Sequence, residues 1–367
     1  MKVALVHDDF TQAGGAENLF AEIASIYPQA PIYTSVVNWH KLPSSISRQR
    51  IKTSFIQKIP LAAKFYKLLL PLYPLAFESL DLSGFDIVIS STTRFSKGII
   101  TQPKTIHVCY VNSVPRFLWN QSKQQNYLPK LPRLAAKPIF NWLKRWDKVA
   151  ASRVDFYIAN SANVAKKVKE AYGRDANVIY PCIDLNLFTP LKIHKWKLKS
   201  QDYYLIVSRL VKWKNIDIAI EAAKDLGFNL KIAGEGPDDK RLKKLAKGSK
   251  NIEFLGRVDE KVLLDLYRNA KFLIITQEED FGLSVLEAQA CGLGAIAYEK
   301  GGAPEIIAGY GILFKRQSKE SLKDAIEKSK SVKWNLSEIR KNSLKFSKKE
   351  FEKNLTAKIK QYAPPKS

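Results

Sequence analysis

Residues 272–290 read FLIITQEEDFGLSVLEAQA. An unbroken apolar run, Phe272–Ile275, is followed by the acids Glu278, Glu279 and Asp280, then Gly282, then the apolar-rich stretch Leu283–Ala290. A short apolar run bounded by polar and glycine signals reads as a strand buried on both faces. The stretch after Gly282 reads as a helix, and the glycine frees the backbone at the turn between them. Acids thus crowd the C-terminal end of a buried strand, where ligands bind in open parallel sheets.

The same design repeats outward in both directions. Apolar runs Tyr204–Val207, Leu230–Ala233 and Ile252–Leu255 precede it, and Ala295–Ala297 follows. Between them lie the amphipathic stretches Ile216–Leu226, Asp238–Ala246 and Asp259–Ala270. An earlier series holds Val3–Val6, the helical stretch Ala16–Ile26, Ile87–Ile89, Ile106–Val111, Phe156–Ala159 and Val178–Tyr180. Strands alternating with helices predict parallel sheets covered on both faces. Two such series predict an α/β protein of two Rossmann-like, doubly wound domains facing each other across a cleft. The stretch Pro181–Gln201 carries Pro181 and Pro190 with little periodicity, and is expected to link domains at 1–190 and 200–345. The Lys-rich tail, Ser318–Ala363, reads as largely helical.

A chain of 367 residues, 46% hydrophobic and 26% charged, is long enough for two such cores and fits neither a fibrous nor a disordered class. Its three cysteines lie far apart and its four histidines have no metal-ligand spacing, which argues against a disulfide framework or zinc site and suits a reducing cytosol. The apolar run at the N-terminus is too short for a signal peptide. The most apolar stretch, Leu68–Phe77, holds Pro71 and Pro74 and is too short to span a bilayer.

The net charge of +25 calls for an anionic partner: nucleic acid, an acidic membrane surface or a phosphorylated small molecule. Residues 23–77 contain no Asp or Glu, and neither do residues 87–146. Both stretches interleave cations such as Lys64, Lys67, Lys130, Arg133 and Lys144 with Phe65, Leu68, Phe140 and Trp142. Basic residues beside apolar ones suit an anionic membrane surface, against the plainer reading of a solvated lysine face.

Three further motifs carry chemistry. Gly14–Gly15 follows the first strand and opens a helix, whose N-terminus favours an anion. Arg209 and Lys214, in SRLVKWKN at 208–215, follow the first strand of the second series, and two cations there can clamp a diphosphate. Glu279 and Glu287 can both accept hydrogen bonds from sugar hydroxyls. Helix capping explains an acid at 279 or 280 equally well, but not Glu287 deep in an apolar helix. Gly234-Glu235-Gly236-Pro237 closes another strand but lacks the third glycine of a dinucleotide fingerprint.

Taken together, Glu279 and Glu287 with seven residues between them, the run EEDFGLSVLEAQACG, VSRLVKWKNID, IAGEGP, FLGRV and GGAPEII resemble glycosyltransferase family 4, of the GT-B fold. Toward the N-terminus, HDDFTQAGGAE, DLSGFDIVISST, IHVCY and YIANS resemble the same family, near bacterial mannosyltransferases of polysaccharide or lipid-linked glycan synthesis. The resemblance implies that Arg209 and Lys214 hold the donor diphosphate and stabilise the leaving group, and that Glu279 contacts the donor sugar. It places Glu287 on the nucleotide ribose, and Phe281, Gly282, Leu283 and Ser284 around the sugar and phosphates. Ser208, Gly234, Gly14 and Gly15 complete the donor site, and a final helix at 346–363 packs back on the first domain. It further implies a hexose, mannose from GDP-mannose first, moved with retention to a glycan or polyprenyl-linked acceptor at the cytoplasmic face of a membrane. No cofactor or divalent metal is implied, and the sequence contains no Asp-x-Asp.

The segment CYVNSVPRFLWN, 109–120, departs from the subgroup. Asn112 stands where the family carries a His near the donor sugar, and Asn120 where it carries an acid. Asn hydrogen-bonds a hydroxyl but takes up no proton, which leaves open a transferase of low turnover. His107, on a buried strand, reads as structural. Two rivals stand beside the transferase: a nucleotide-sugar epimerase of the same fold, and a nucleic-acid binder supported by charge alone, with no recognition signature.

Overall fold

In the computed structural model, residues 1–119, 133–190, 203–332 and 335–363 are described. The chain forms two compact units, residues 1–181 with 349–367, and residues 182–348.

The first unit is built on a seven-stranded sheet of order β3-β2-β1-β4-β5-β6-β7. Its strands are β1 (Val3–His7), β2 (Ile32–Thr34), β3 (Ile51–Thr53), β4 (Ile87–Thr92), β5 (Ile106–Val111), β6 (Phe156–Ala159) and β7 (Ala176–Val178). Every pairing is parallel. β4 is buried along its whole length and β5 nearly so, as their unbroken apolar character requires. The helix Lys348–Tyr362 belongs to this unit from Lys349 onward: Phe351 lies edge-on to Tyr110, and Tyr362 stacks on Phe156 at 3.9 Å.

The second unit carries a six-stranded parallel sheet of order β10-β9-β8-β11-β12-β13. Here β8 is Tyr203–Val207, β9 Asn229–Ala233, β10 Ile252–Gly256, β11 Leu273–Ile275, β12 Ala295–Tyr298 and β13 Gly311–Phe314. Two apolar clusters, one around Leu205, Val285 and Ala297 and one around Ile206, Ile220 and Ile296, make up its core. The segment after Pro181 counts with this unit for a local reason. Ile183 N–H donates to the Phe346 carbonyl, Asp184 pairs with Lys348, and Arg340 donates to the carbonyls of Leu185 and Phe188. Residues 191–202 of the expected linker, and Asn120 and Lys130, lie outside the described residues.

Both units are α/β and doubly wound, as the sequence pattern predicts. Three strands went unread: β2 and β3, each three residues long, and β13, four residues long. β7 sits two residues earlier than its apolar signal, at Ala176–Val178. The aromatic and basic stretch 133–152 is one long helix, with Pro138 inside it. In each sheet the strand order reverses at one place, between β1 and β4 and between β8 and β11. Loops leaving the two strands at such a switch point diverge and leave a crevice for a ligand.

Candidate active site

In the second unit the two strands at the switch point deliver most of the expected residues. β8 ends at Val207, so Ser208, exposed Arg209 and Lys214 leave its C-terminal end. β11 ends at Ile275, and Thr276 to Asp280 leave beside it. The two loops are tied together. Thr276 Oγ1 donates to the Lys214 carbonyl at 2.6 Å, and Gln317 Nε2 donates to the Thr276 carbonyl at 2.9 Å. Lys214 Nζ pairs with Glu279 Oε1, and Gln277 Nε2 donates to that same oxygen. Lys214 also lies over the Trp213 ring, 4.5 Å from its centre. The Lys214 and Glu279 side chains retain 12% and 16% of their exposure, enough to meet a ligand yet little enough to be ordered.

Glycines set the shape of this loop. Gly301 has φ +98°, and a Cβ there would stand 2.3 Å from the Glu279 carbonyl oxygen; at Gly302 it would stand 2.4 Å from that of Asp280. The close approach lets Gly302 N–H donate to the Glu279 carbonyl at 2.8 Å. The GGAPE motif therefore holds the loop bearing Glu279 in place. Gly234, with φ +138°, lies against Ser208 in the same way, a Cβ falling 1.9 Å from the Ser208 carbonyl oxygen.

Gly282, at φ +112°, ends the loop and precedes the helix Leu283–Ala290 without any side-chain cap. The capping role open to Glu279 is thus not the one it takes; its carboxylate turns to Lys214 and Gln277. Phe281 is buried against Phe346, while the first helical residues, Leu283 and Ser284, stay partly exposed. Two turns on, Glu287 Oε2 accepts a hydrogen bond from Tyr267 Oη at 2.7 Å. Burial pushes the Glu287 carboxyl up to about 7, with the tyrosine hydrogen bond acting in the other direction. Near neutral pH this acid is poised between donor and acceptor.

In the first unit, Asp8 and Asp9 follow β1, and the loop Thr93–Ser96 follows β4. Asp8 accepts hydrogen bonds from the backbone N–H groups of Thr93, Arg94, Phe95 and Ser96, at 2.6 to 2.9 Å, and from Thr93 Oγ1. Burial raises its pKa, but the Arg94 and His7 charges and the N–H donors outweigh it and hold the carboxyl below its ordinary value. Asp9 pairs with Arg94, whose guanidinium lies 5.6 Å from the Tyr66 ring centre. Gly14 precedes the helix Gly15–Ile26, and Gly15 is exposed at its N-terminus. Glu17 folds back on Gly14, its Oε2 3.0 Å from where a Cβ would stand; burial and the nearby Asp9 push its carboxyl up to about 7.

Asn112 lies just past β5. Its Nδ2 donates to Ser91 Oγ at 2.9 Å, and its carbonyl accepts from Asn160 Nδ2 at 3.0 Å. It is 7% exposed, so its side chain reaches the C-terminal edge of the sheet already partnered. His107 is fully buried, 2.7 Å from Ser90 Oγ, and burial pushes it down to about 3. Sequence reading did not single out Gln277, Thr276, Tyr267, Asp8, Asp9, Glu17 or Arg94. Thr276 and Gln277 lie within the stretch 272–290, and Asp8, Asp9 and Glu17 within HDDFTQAGGAE; Tyr267 and Arg94 had no such signal. Among the described residues no three His, Cys, Asp or Glu side chains cluster to hold a metal ion.

Residues 13–187 match the family model Glycosyltransferase Family 4, and residues 190–346 match Glycosyl transferases group 1. An uncharacterized glycosyltransferase of Methanocaldococcus jannaschii is 29% identical over 184 residues, 49% of this chain and 50% of that protein. A GDP-mannose-dependent monoacylated alpha-(1-6)-phosphatidylinositol monomannoside mannosyltransferase of Corynebacterium glutamicum is 28% identical, over 42% of this chain and 47% of that protein. The chain thus spans about half the length of these curated relatives. Anabaena HepE, crystallised with UDP, superposes with a TM-score of 0.70 at 18% identity, over 98% of this chain and all of that one. At that identity the likeness concerns the fold.

Proposed function

The chain belongs to glycosyltransferase family 4, with the GT-B fold, and on that premise we propose that it moves a hexose from a nucleotide sugar to a glycan acceptor. We propose mannose from GDP-mannose as the donor, transfer with retention, no divalent metal, and a lipid-linked acceptor at the cytoplasmic face of a membrane. The observation that carries the reading is the tie between the β8 and β11 loops, where Lys214, Gln277 and Glu279 meet at one carboxylate oxygen.

The chemistry follows from charge. As the glycosidic bond to phosphate breaks, negative charge grows on the departing diphosphate. Arg209 and Lys214, on the loop that leaves the end of β8, and the N-terminus of the helix Leu283–Ala290 meet that charge. Glu279, held by Gln277, accepts hydrogen bonds from sugar hydroxyls while Lys214 turns to the phosphate. Glu287 accepts from the ribose hydroxyls. Cations in the protein take the place a metal ion would otherwise fill. The mannosyltransferase relative supports GDP-mannose; the UDP bound by HepE makes UDP-sugars the alternative to test beside it.

The experiment is a thermal-shift panel of GDP- and UDP-sugars. A ligand bound only by the folded protein stabilises it by mass action, about 2.7 kcal/mol at a hundredfold excess over Kd. GDP-mannose is expected to give the largest shift. A larger shift with a UDP-sugar reassigns the donor, and no shift with any nucleotide sugar removes the reading.

A further inference from the structure

We propose that Thr276 is a positioning residue for the diphosphate clamp: its hydroxyl, braced by Gln317, fixes the backbone of Lys214 in the state in which the Lys214 ammonium group has left Glu279. The inference rests on the proposed role of Lys214, and its test can fail separately from that role.

The register of the sheet shows why a tie is needed here. β8 pairs with β9 along its whole length, from Tyr203 to Val207, but with β11 at Leu205 and Leu273. These two strands flank the switch point, and the chains that leave them diverge. Lys214 stands on the first of those chains and closes the short turn Lys212–Lys214. Asn215 follows in a left-handed conformation, at φ +51°, so the chain changes direction immediately after Lys214.

Thr276 bridges the gap. It follows the apolar strand Leu273–Ile275 and is itself 1% exposed. A buried hydroxyl is unfavourable unless it is bonded, and valine would fit the same strand end. The hydroxyl reaches the neighbouring loop, where Thr276 Oγ1 donates to the Lys214 carbonyl at 2.6 Å. From the other side Gln317, on the segment after β13, donates from Nε2 to the Thr276 carbonyl at 2.9 Å. So deeply buried a side chain touches no substrate, and its effect on the reaction passes through Lys214.

Lys214 is thus held twice. Its ammonium group pairs with Glu279, and its backbone is bonded to Thr276. A bound donor treats the two holds differently. When the diphosphate takes the ammonium group, the pair with Glu279 is given up, while the backbone bond stays. The lysine stem is flexible, so a fixed backbone is what keeps the charge in place where the leaving group develops its own.

The test is a double-mutant cycle of T276V and K214M, read by transfer kinetics and melting temperature. T276V keeps the shape and removes the hydroxyl. It should lower kcat about fivefold, the rate equivalent of one net hydrogen bond, with the donor KM within about twofold of wild type. T276S keeps the hydroxyl and should recover most of the lost rate. In K214M the charge being positioned is gone, so adding T276V should leave kcat as it is, while the melting temperature falls alike in both backgrounds. A purely structural threonine would give the fall in melting temperature without the loss of kcat. Q317A alters an exposed side chain and should lower kcat about twofold with Lys214 present and not at all in K214M; it decides the question if T276V does not fold. An unchanged kcat in T276V, the same fivefold loss in K214M as in the wild type, or a T276S as slow as T276V each overturn the inference. If K214M transfers as fast as the wild type, the clamp itself falls and this inference with it; a slow K214M beside a T276V of wild-type kcat sinks the inference and leaves the clamp standing.

Discussion

Replacing Lys214 with methionine separates what this side chain does for the fold from what it does for the reaction. In the wild type its ammonium group pairs with Glu279 Oε1, which also accepts from Gln277. Methionine keeps the aliphatic stem and removes the charge, leaving a largely buried carboxylate with the Gln277 amide. Stripping one partner from a fully buried pair costs 3–5 kcal/mol, whereas exposed pairs are worth up to about 1 kcal/mol. With 12% and 16% exposure the pair lies between these limits, so a stability loss of about 2 kcal/mol is expected. The loss of a fixed cation facing the diphosphate should cost about 3 kcal/mol in the transition state, on the order of a hundredfold in kcat. The assay is a cycle of K214M, E279Q and the double variant, followed by urea denaturation and by transfer rate. The double variant removes the stranded carboxylate, so its stability should return to within about 0.5 kcal/mol of wild type, while activity stays at or below that of K214M. If the double variant regains activity together with stability, Lys214 serves the fold alone and the assignment of the diphosphate clamp is refuted.

Three further outcomes follow from the site. Glu287 has a folded-state pKa of about 7, above its value of 4.5 when unperturbed, so the folded protein holds a proton that the unfolded chain releases between these values. Stability should therefore fall as pH rises from 5 to 7, and E287Q should be the more stable protein above pH 7 by about 1–3 kcal/mol, measured by denaturant titration. On the proposed contact between the ionised Glu287 carboxylate and the ribose, donor binding should weaken below pH 7 in the wild type. Asn112→His should change turnover or donor preference with little effect on melting temperature; identical kinetics in N112H and N112A would remove this residue from the site. Transfer should persist in EDTA, and loss restored by Mg²⁺ or Mn²⁺ would show a metal at the diphosphate.

The second unit was nearly all legible because its signals are local. The helices Ile216–Leu226 and Leu283–Ala290 begin and end where the apolar period and the glycines place them. Short strands escaped for the same reason: Ile32–Thr34 and Ile51–Thr53 hold too few residues for a period to show. The residues singled out by motif, such as Arg209 and Glu279, leave the C-terminal ends of β8 and β11, but several hydrogen-bond partners nearby carried no local signal. Tyr267 reaches Glu287 from a helix 20 residues earlier in the chain, and Gln317 reaches Thr276 across 41. Such pairings are fixed by the strand order at the switch point, which no local pattern encodes. Asp8 and Arg94 are a like case, brought together across 86 residues by the pairing of β1 with β4.

The most direct measurement is transfer of labelled mannose from GDP-mannose to the lipid fraction of a bacterial membrane extract, with GDP release followed in parallel. Acceptor-dependent labelling, matched by GDP release and lost in K214M, is the expected result. Absence of labelling from GDP-mannose and from UDP-sugars alike, or conversion of the donor to an epimer with no acceptor present, would contradict the assignment of this chain as a working glycosyltransferase.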